Sequence, residues 1–158
     1  MAIIQAKNYT KGEGLRKPIR MIVLHSAENQ QLPGQAQHLA EWFAGPTAPQ
    51  ASAHYMIDDT TVIQSVEEED TAWAVDDFHL NQISISLEHA GTASQSTRDW
   101  QDAYSQAELK LSSALVADIA KRYSIPVVKL SPADILAGKS GICGHVDITI
   151  AKKIAGGH

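Results

Sequence analysis

Arg20-Met-Ile-Val-Leu-His25 and Ile83-Ser-Ile-Ser-Leu-Glu88 are the two stretches whose reading decides the fold. The first is a short run of apolar and β-branched side chains after Pro18, and it reads as a buried strand with His25 at its end. The second alternates. Strand side chains point to opposite faces with a period of two, so Ile83, Ile85 and Leu87 share one face and Ser84, Ser86 and Glu88 the other. The small serines leave the Glu88 carboxylate room on an open face.

Between these strands, a Pro33-Gly34 turn precedes residues 35–43, where Leu39, Trp42 and Phe43 recur at helical spacing until Gly45-Pro46 closes the helix. Residues 48–52 read as a loop. Residues 53–58 and 61–66 are two strand-like runs joined by Asp59-Thr60, a hairpin whose turn signal is weaker than Asp-Gly. Downstream, residues 104–123 carry an apolar stripe of Ala107, Leu111, Ala114, Leu115, Ile119 and Tyr123, ended by Ser124 and Pro126, which predicts a helix packed on the core. Ser131-Pro-Ala-Asp134 has the form of a helix start and Leu136-Ala-Gly138 that of its stop. Strands interleaved with helices place the chain in the α/β class, a central mixed β-sheet flanked by helices. There is no internal repeat and no low-complexity tract.

Length and composition narrow the function classes. A chain of 158 residues, 44% apolar and 20% charged, is one domain able to bury roughly two-thirds of its unfolded surface, which excludes disorder and collagen-like repetition. A formal net charge of −5 supplies no global basic field, so neither nucleic acid nor an anionic membrane is an expected partner. Cys143 is the single cysteine, so the fold needs no disulfide; it is either a ligand or a small buried apolar residue. Residues 1–10 lack the basic cap and apolar core of a secretory signal, and no apolar run reaches the 18 or so residues of a membrane span. The expectation is a protein made in the cytoplasm without membrane insertion, reaching any extracellular target by another route.

Seven histidines are present, at positions 25, 38, 54, 79, 89, 145 and 158. His25 ends a strand, where a side chain is held rigidly at the rim of a sheet, as a metal ligand requires. His145 lies in Gly141-Ile-Cys-Gly-His-Val-Asp147, where two glycines permit close backbone approach and Asp147 is placed to accept a local hydrogen bond. Taken singly, each is more often an ordinary core or surface residue. His38, His79 and His89 read as ordinary polar positions, and the four acids at 67–70 as a solvated edge or loop.

The histidines become informative through their company. Leu24-His25-Ser26-Ala27, Ser52-Ala53-His54-Tyr55, Ala72-Trp73, Ser84-Ile-Ser-Leu-Glu88 and Gly144-His145-Val-Asp147 occur in this order across about 120 residues. The ordered set resembles the zinc-dependent N-acetylmuramoyl-L-alanine amidases of the type-2 amidase family, which includes bacteriophage endolysins and resembles the peptidoglycan recognition proteins. The likeness covers nearly the whole chain. It implies one amidase catalytic domain over residues 1–158, a hydrolase that cuts peptidoglycan between N-acetylmuramic acid and L-alanine, acting on the bacterial cell wall as a monomer. It implies Zn2+ as cofactor, His25 and His145 as metal ligands, Glu88 as catalytic residue, and His54 and Trp73 beside the substrate. Residues 129–134 leading into residues 138–145 are similar to endolysins from phages of Gram-positive actinobacteria.

One departure stands out. In the family an Asp or Cys ligand follows the second His by several residues, with a Lys or His two positions before it. This chain stops at Gly156-Gly157-His158, so His158 matches that Lys or His, a candidate oxyanion donor, and the third ligand is expected just past the last residue of a truncated domain. His158 or Asp147 could substitute, though Asp147 is more readily a local cap. Family members often carry a His after the Trp; here Ala74 follows Trp73. The alternatives are a peptidoglycan-binding module of the same fold without hydrolysis, and a metal-independent α/β scaffold with scattered histidines.

Overall fold

The computed structural model describes residues 2–14 and 16–156. In chain order the elements are β1 (Ala2–Ile3), β2 (Tyr9–Thr10), β3 (Met21–Ser26), α1 (Gln35–Ala44), β4 (Tyr55–Ile57), β5 (Val62–Gln64), β6 (Thr71–Ala72), α2 (Phe78–Gln82), β7 (Ser84–His89), a 3-10 turn (Asp99–Gln101), α3 (Ala103–Arg122), α4 (Pro132–Leu136), β8 (Gly141–Gly144) and α5 (His145–Gly156). Six strands form one mixed sheet in the order β1-β5-β4-β7-β3-β8, while β2 and β6 pair separately.

β3 and β7 are central and parallel, with His25 directly opposite Glu88. β8 runs parallel to the other side of β3, pairing Leu24 with Gly144, so the chain enters α5 at His145 one step from the end of β3. Strand periodicity divides the side chains between two faces. One carries Ile22, Ile57, Ile85 and Leu87 against Val116, Ile119 and Ala120 of α3. The other carries Met56 against α1, and Met21, Val23 and Cys143 against Ile135 of α4 and Ile148 of α5. The result is three layers, with the sheet buried between helices on both faces, as parallel strands require.

The local signals explain the elements. Ser131 and Asp134 form a reciprocal capping box with Pro132 in the first turn of α4. The hairpin of β4 and β5 closes without glycine because Oδ1 of Asp58 accepts from the backbone N–H groups of Thr60 and Thr61, at 2.9 and 2.7 Å, satisfying the turn with a side chain. The other Asp58 oxygen accepts from Ala36 N at 3.0 Å, tying that hairpin to the start of α1.

Four expectations are corrected. The serine face of β7 is not open: Ser84 and Ser86 are buried, and only Glu88 approaches the rim. Ile83 caps α2 rather than beginning the strand, and packs with the opposite face from Ile85. The fully buried line of α3 is Ser105, Glu108, Ser112, Val116, Ile119 and Ala120; of the expected stripe Leu111, Leu115 and Tyr123 pack half-buried against the same core, whereas Ala114 is exposed. The period is helical, but polar residues occupy its first half because that half covers the polar end of the sheet. The acids at 67–70 are not a solvated run. Glu68 accepts from the Tyr55 and Tyr123 hydroxyls, at 2.6 and 2.8 Å, and from the Arg122 guanidinium, while Asp70 is buried and accepts from Gly12 N at 2.8 Å.

Candidate active site

The ends of β3, β7 and β8 bring together three residues that the chain keeps far apart. Nδ1 of His25 lies 3.1 Å from Nδ1 of His145, across a sequence separation of 120, and the two rings meet edge to face with centroids 4.8 Å apart. Oε1 of Glu88 lies 3.9 Å from the same His25 nitrogen. Burial holds His25 down to about 3, with His145 adding to the effect; burial and Lys152 also lower His145. Both rings are therefore neutral at pH 7 and have lone pairs available. Burial, reinforced by the charge of Glu28, pushes Glu88 up to about 8.

Buried polar atoms ordinarily have partners, yet His25 Nε2 and Glu88 Oε2 have none. Two nitrogens on a tetrahedral zinc, each about 2.0–2.1 Å from the ion, would stand about 3.3 Å apart. The facing Nδ1 atoms thus fit two vertices of such a site. Among the described residues, no set of three His, Cys, Asp or Glu side chains is arranged to hold a metal ion. Asp147 is not a third donor: its Oδ2 accepts from Gly144 N at 2.9 Å and fixes the turn into α5. Cys143 is buried in the core, its thiol pushed up to about 12 chiefly by burial. His158 lies outside the described residues.

The substrate-side candidates differ from one another. His54 was expected to line the site, but its ring is 1% exposed and both nitrogens are occupied: Nδ1 accepts from Ser86 N at 3.1 Å and Nε2 faces the Asp70 carbonyl at 3.4 Å. It braces β4 against β7 and the 67–70 loop, a role the motif alone could not distinguish from substrate contact. Trp73 is half-buried, with its indole N–H donating to Thr10 Oγ1 at 2.8 Å, and it lines a cavity of about 430 Å³ with Asp76 and Phe78. Asp76 and Val75 also line a cavity of about 360 Å³ that reaches His145.

Two residues with a bearing on the site escaped the sequence reading. His89, expected to be an ordinary polar position, is buried; its Nδ1 lies 2.9 Å from the carbonyl oxygen of His25 and its Nε2 2.7 Å from Ser112 Oγ. The carbonyl can only accept, so Nδ1 carries the proton and Nε2 accepts from the Ser112 hydroxyl. Burial keeps this ring neutral. The second is Trp100, which lines two cavities containing His25, one of about 450 Å³ with Glu28 and His145 and one of about 200 Å³ with Leu109. It reaches this position because residue 91 is glycine: at φ 141°, a Cβ there would stand 2.8 Å from the indole. The only sequence signal for this was an aromatic residue in a polar loop after the Glu88 strand.

Among solved structures, the fold matches the Staphylococcus aureus hydrolase AmiA in complex with its ligand, with a TM-score of 0.65 and 14% identity over 94% of this chain and 66% of that one. It also matches PlyL, with a TM-score of 0.62 and 18% identity over 98% and 83% of the two chains. A third is the N-acetylmuramyl-L-alanine amidase AmiD from E. coli in complex with the substrate anhydro-N-acetylmuramic acid-L-Ala-D-gamma-Glu-L-Lys, with a TM-score of 0.52 and 22% identity over 72% of this chain and 48% of that one. The comparison with curated proteins gave no match. The family model described as N-acetylmuramoyl-L-alanine amidase matches residues 15–157, nearly the whole described structure, and the chain therefore belongs to the N-acetylmuramoyl-L-alanine amidase family.

Proposed function

We propose that this protein hydrolyses the amide between the lactyl carboxyl of N-acetylmuramic acid and the L-alanine of the peptidoglycan stem peptide, with zinc at His25 and His145 and Glu88 as general base. The observation that carries the reading is the convergence of two neutral imidazole nitrogens 3.1 Å apart with a buried carboxyl beside them. A zinc ion bound there supplies a Lewis acid for the amide carbonyl and lowers the pKa of water at the site to about 7.

The chain's own residues do the rest. His25 and His145 present lone pairs from opposite sides, fixed by β3 and by the β8–α5 turn that Asp147 locks. Glu88 takes the proton of the attacking water and returns it to the leaving nitrogen, a role that its place beside His25, 3.9 Å from Nδ1, suits. Its oxygens make no competing hydrogen bond, so nothing need be broken for the transfer. Trp100 closes one wall of the cleft and orients the substrate. Action on the bacterial wall, as an endolysin catalytic domain would act, follows from the same chemistry.

The test is mass spectrometry of purified cell walls incubated with the protein and zinc. Release of stem peptides with a free L-alanine amine is expected, and Glu88→Gln should retain zinc while losing at least about a hundredfold in rate. Wild-type rates in Glu88→Gln would remove Glu88 from the mechanism. Walls bound but left uncut by the zinc-loaded wild type would identify the non-hydrolytic alternative.

A further inference from the structure

We propose that the glycan strand of peptidoglycan leaves the catalytic cleft across Glu28 and continues onto α1, where Trp42 is the platform of a sugar subsite; this rests on the hydrolytic reading above. Trp42 is 50% exposed although α1 buries its apolar face through Ala36, Leu39, Ala40 and Phe43. The core therefore does not account for the indole, which is held against Phe43 at a centroid distance of 5.0 Å and an angle of 52°. Beside it is a cavity of about 290 Å³ lined by Glu28, Asn29, Gln35, His38 and Leu39. An apolar indole face with amide and imidazole groups around it matches a pyranose, whose C–H face is apolar and whose rim is hydroxyl.

Continuity with the reaction centre comes from Glu28, which also lines the larger cavity holding His25, His145 and Trp100. Its backbone is in the left-handed region, at φ 55°, a conformation uncommon for a residue with a side chain. The holding contacts are the Ser26 hydroxyl and Ala93 N–H, both donating to Oε1 at 2.7 Å. Oε2 is left to accept from a ligand hydroxyl.

Charge sets the direction. Glu28 and Glu41 make the α1 side unfavourable for the carboxylates of a stem peptide but tolerable for neutral sugars. The cavity of about 360 Å³ that His145 shares with α5 carries Lys153 and Lys152, the latter also paired with Asp76, and suits the anionic peptide. A substrate spanning both places its scissile amide at the two histidines.

The experiment compares kcat/KM on polymeric cell walls with kcat/KM on a soluble muramyl-peptide monomer, for the wild type, Trp42→Ala and Trp42→Phe. The polymer-to-monomer ratio should fall about tenfold in Trp42→Ala, the scale of one aromatic contact, and recover most of that in Trp42→Phe. Independently of catalysis, a peptide-free glycan tetrasaccharide should quench the tryptophan fluorescence of the wild type, and calorimetry should show the binding lost in Trp42→Ala. An unchanged ratio, or an equal loss on both substrates, overturns the subsite. If the wild type cleaves neither substrate, the hydrolytic reading fails by itself, and tetrasaccharide binding that survives in Trp42→Ala then overturns the subsite separately.

Discussion

Replacing His89 by leucine tests whether the backbone at His25 is held from behind by α3. The substitution removes two buried hydrogen bonds, from Nδ1 to the His25 carbonyl at 2.9 Å and from Ser112 Oγ to Nε2 at 2.7 Å. It leaves the Ser112 hydroxyl, itself buried, without that partner. Each buried group left unpaired costs about 1–3 kcal/mol, and the apolar gain of leucine offsets part of this, for a net loss of about 3 kcal/mol. At about 3 °C per kcal/mol for a domain of this size, Tm should fall by about 9 °C. Because His25 is the residue held, zinc affinity measured by chelator competition should weaken by about tenfold as well, the scale of lost support behind a ligand. His89→Asn places an N–H near the position of Nδ1 and should recover most of the zinc affinity while still losing the Ser112 bond. Wild-type zinc affinity in His89→Leu would reduce His89 to a packing residue, and an unchanged Tm would refute the hydrogen-bond account altogether.

Glu108 and Gly141 give two further tests. Burial pushes the Glu108 carboxyl up to about 8 against a lesser opposing hydrogen bond from Ala90 N, and its Oε2 has no partner. Since the folded pKa exceeds the unfolded value of about 4.3, its contribution is full below about pH 4 and is lost as pH rises through about 8. Urea midpoints of Glu108→Gln should therefore decline less than those of the wild type between pH 5 and pH 8, and parallel profiles would contradict this. In β8, a Cβ at residue 141 would stand 2.7 Å from the Val128 carbonyl oxygen and 2.8 Å from Leu130 Cδ2. Gly141→Ala should cost about 1–3 kcal/mol in urea unfolding, and a change below about 0.5 kcal/mol would show that the strand yields freely.

The sequence exposed those parts of the site that local chemistry marks. A strand ending in His25, a strand ending in Glu88 and a glycine-flanked His145 were each visible, and their order carried the family resemblance. It misjudged His54 and His89 because burial of a histidine depends on which neighbours supply its hydrogen bonds, and those neighbours, Ser86, Asp70 and Ser112, lie elsewhere in the chain. It missed the polar half of the inner face of α3 for a similar reason, although Leu111, Leu115, Ile119 and Tyr123 pack on the core as expected. Ser105, Glu108 and Ser112 are polar but buried, since Glu108 and Ser112 meet Ala90 N and His89 across the layer and Ser105 meets Gln31.

By itself, then, the amino-acid order marked β3, α1, the hairpin of β4 and β5, β7, α3 and the helix start at Ser131, together with a net charge of −5, because these follow from near neighbours in the chain and from summed charge. Only the tertiary structure decided that β8 lies beside β3, that two Nδ1 atoms face each other at 3.1 Å, and that Trp100 and Trp42 border cavities joined by Glu28. Parallel pairing is the physical reason: strands that share a direction must be connected over long loops and helices, so their register is set by packing of the whole sheet and not by any turn that a short segment can encode.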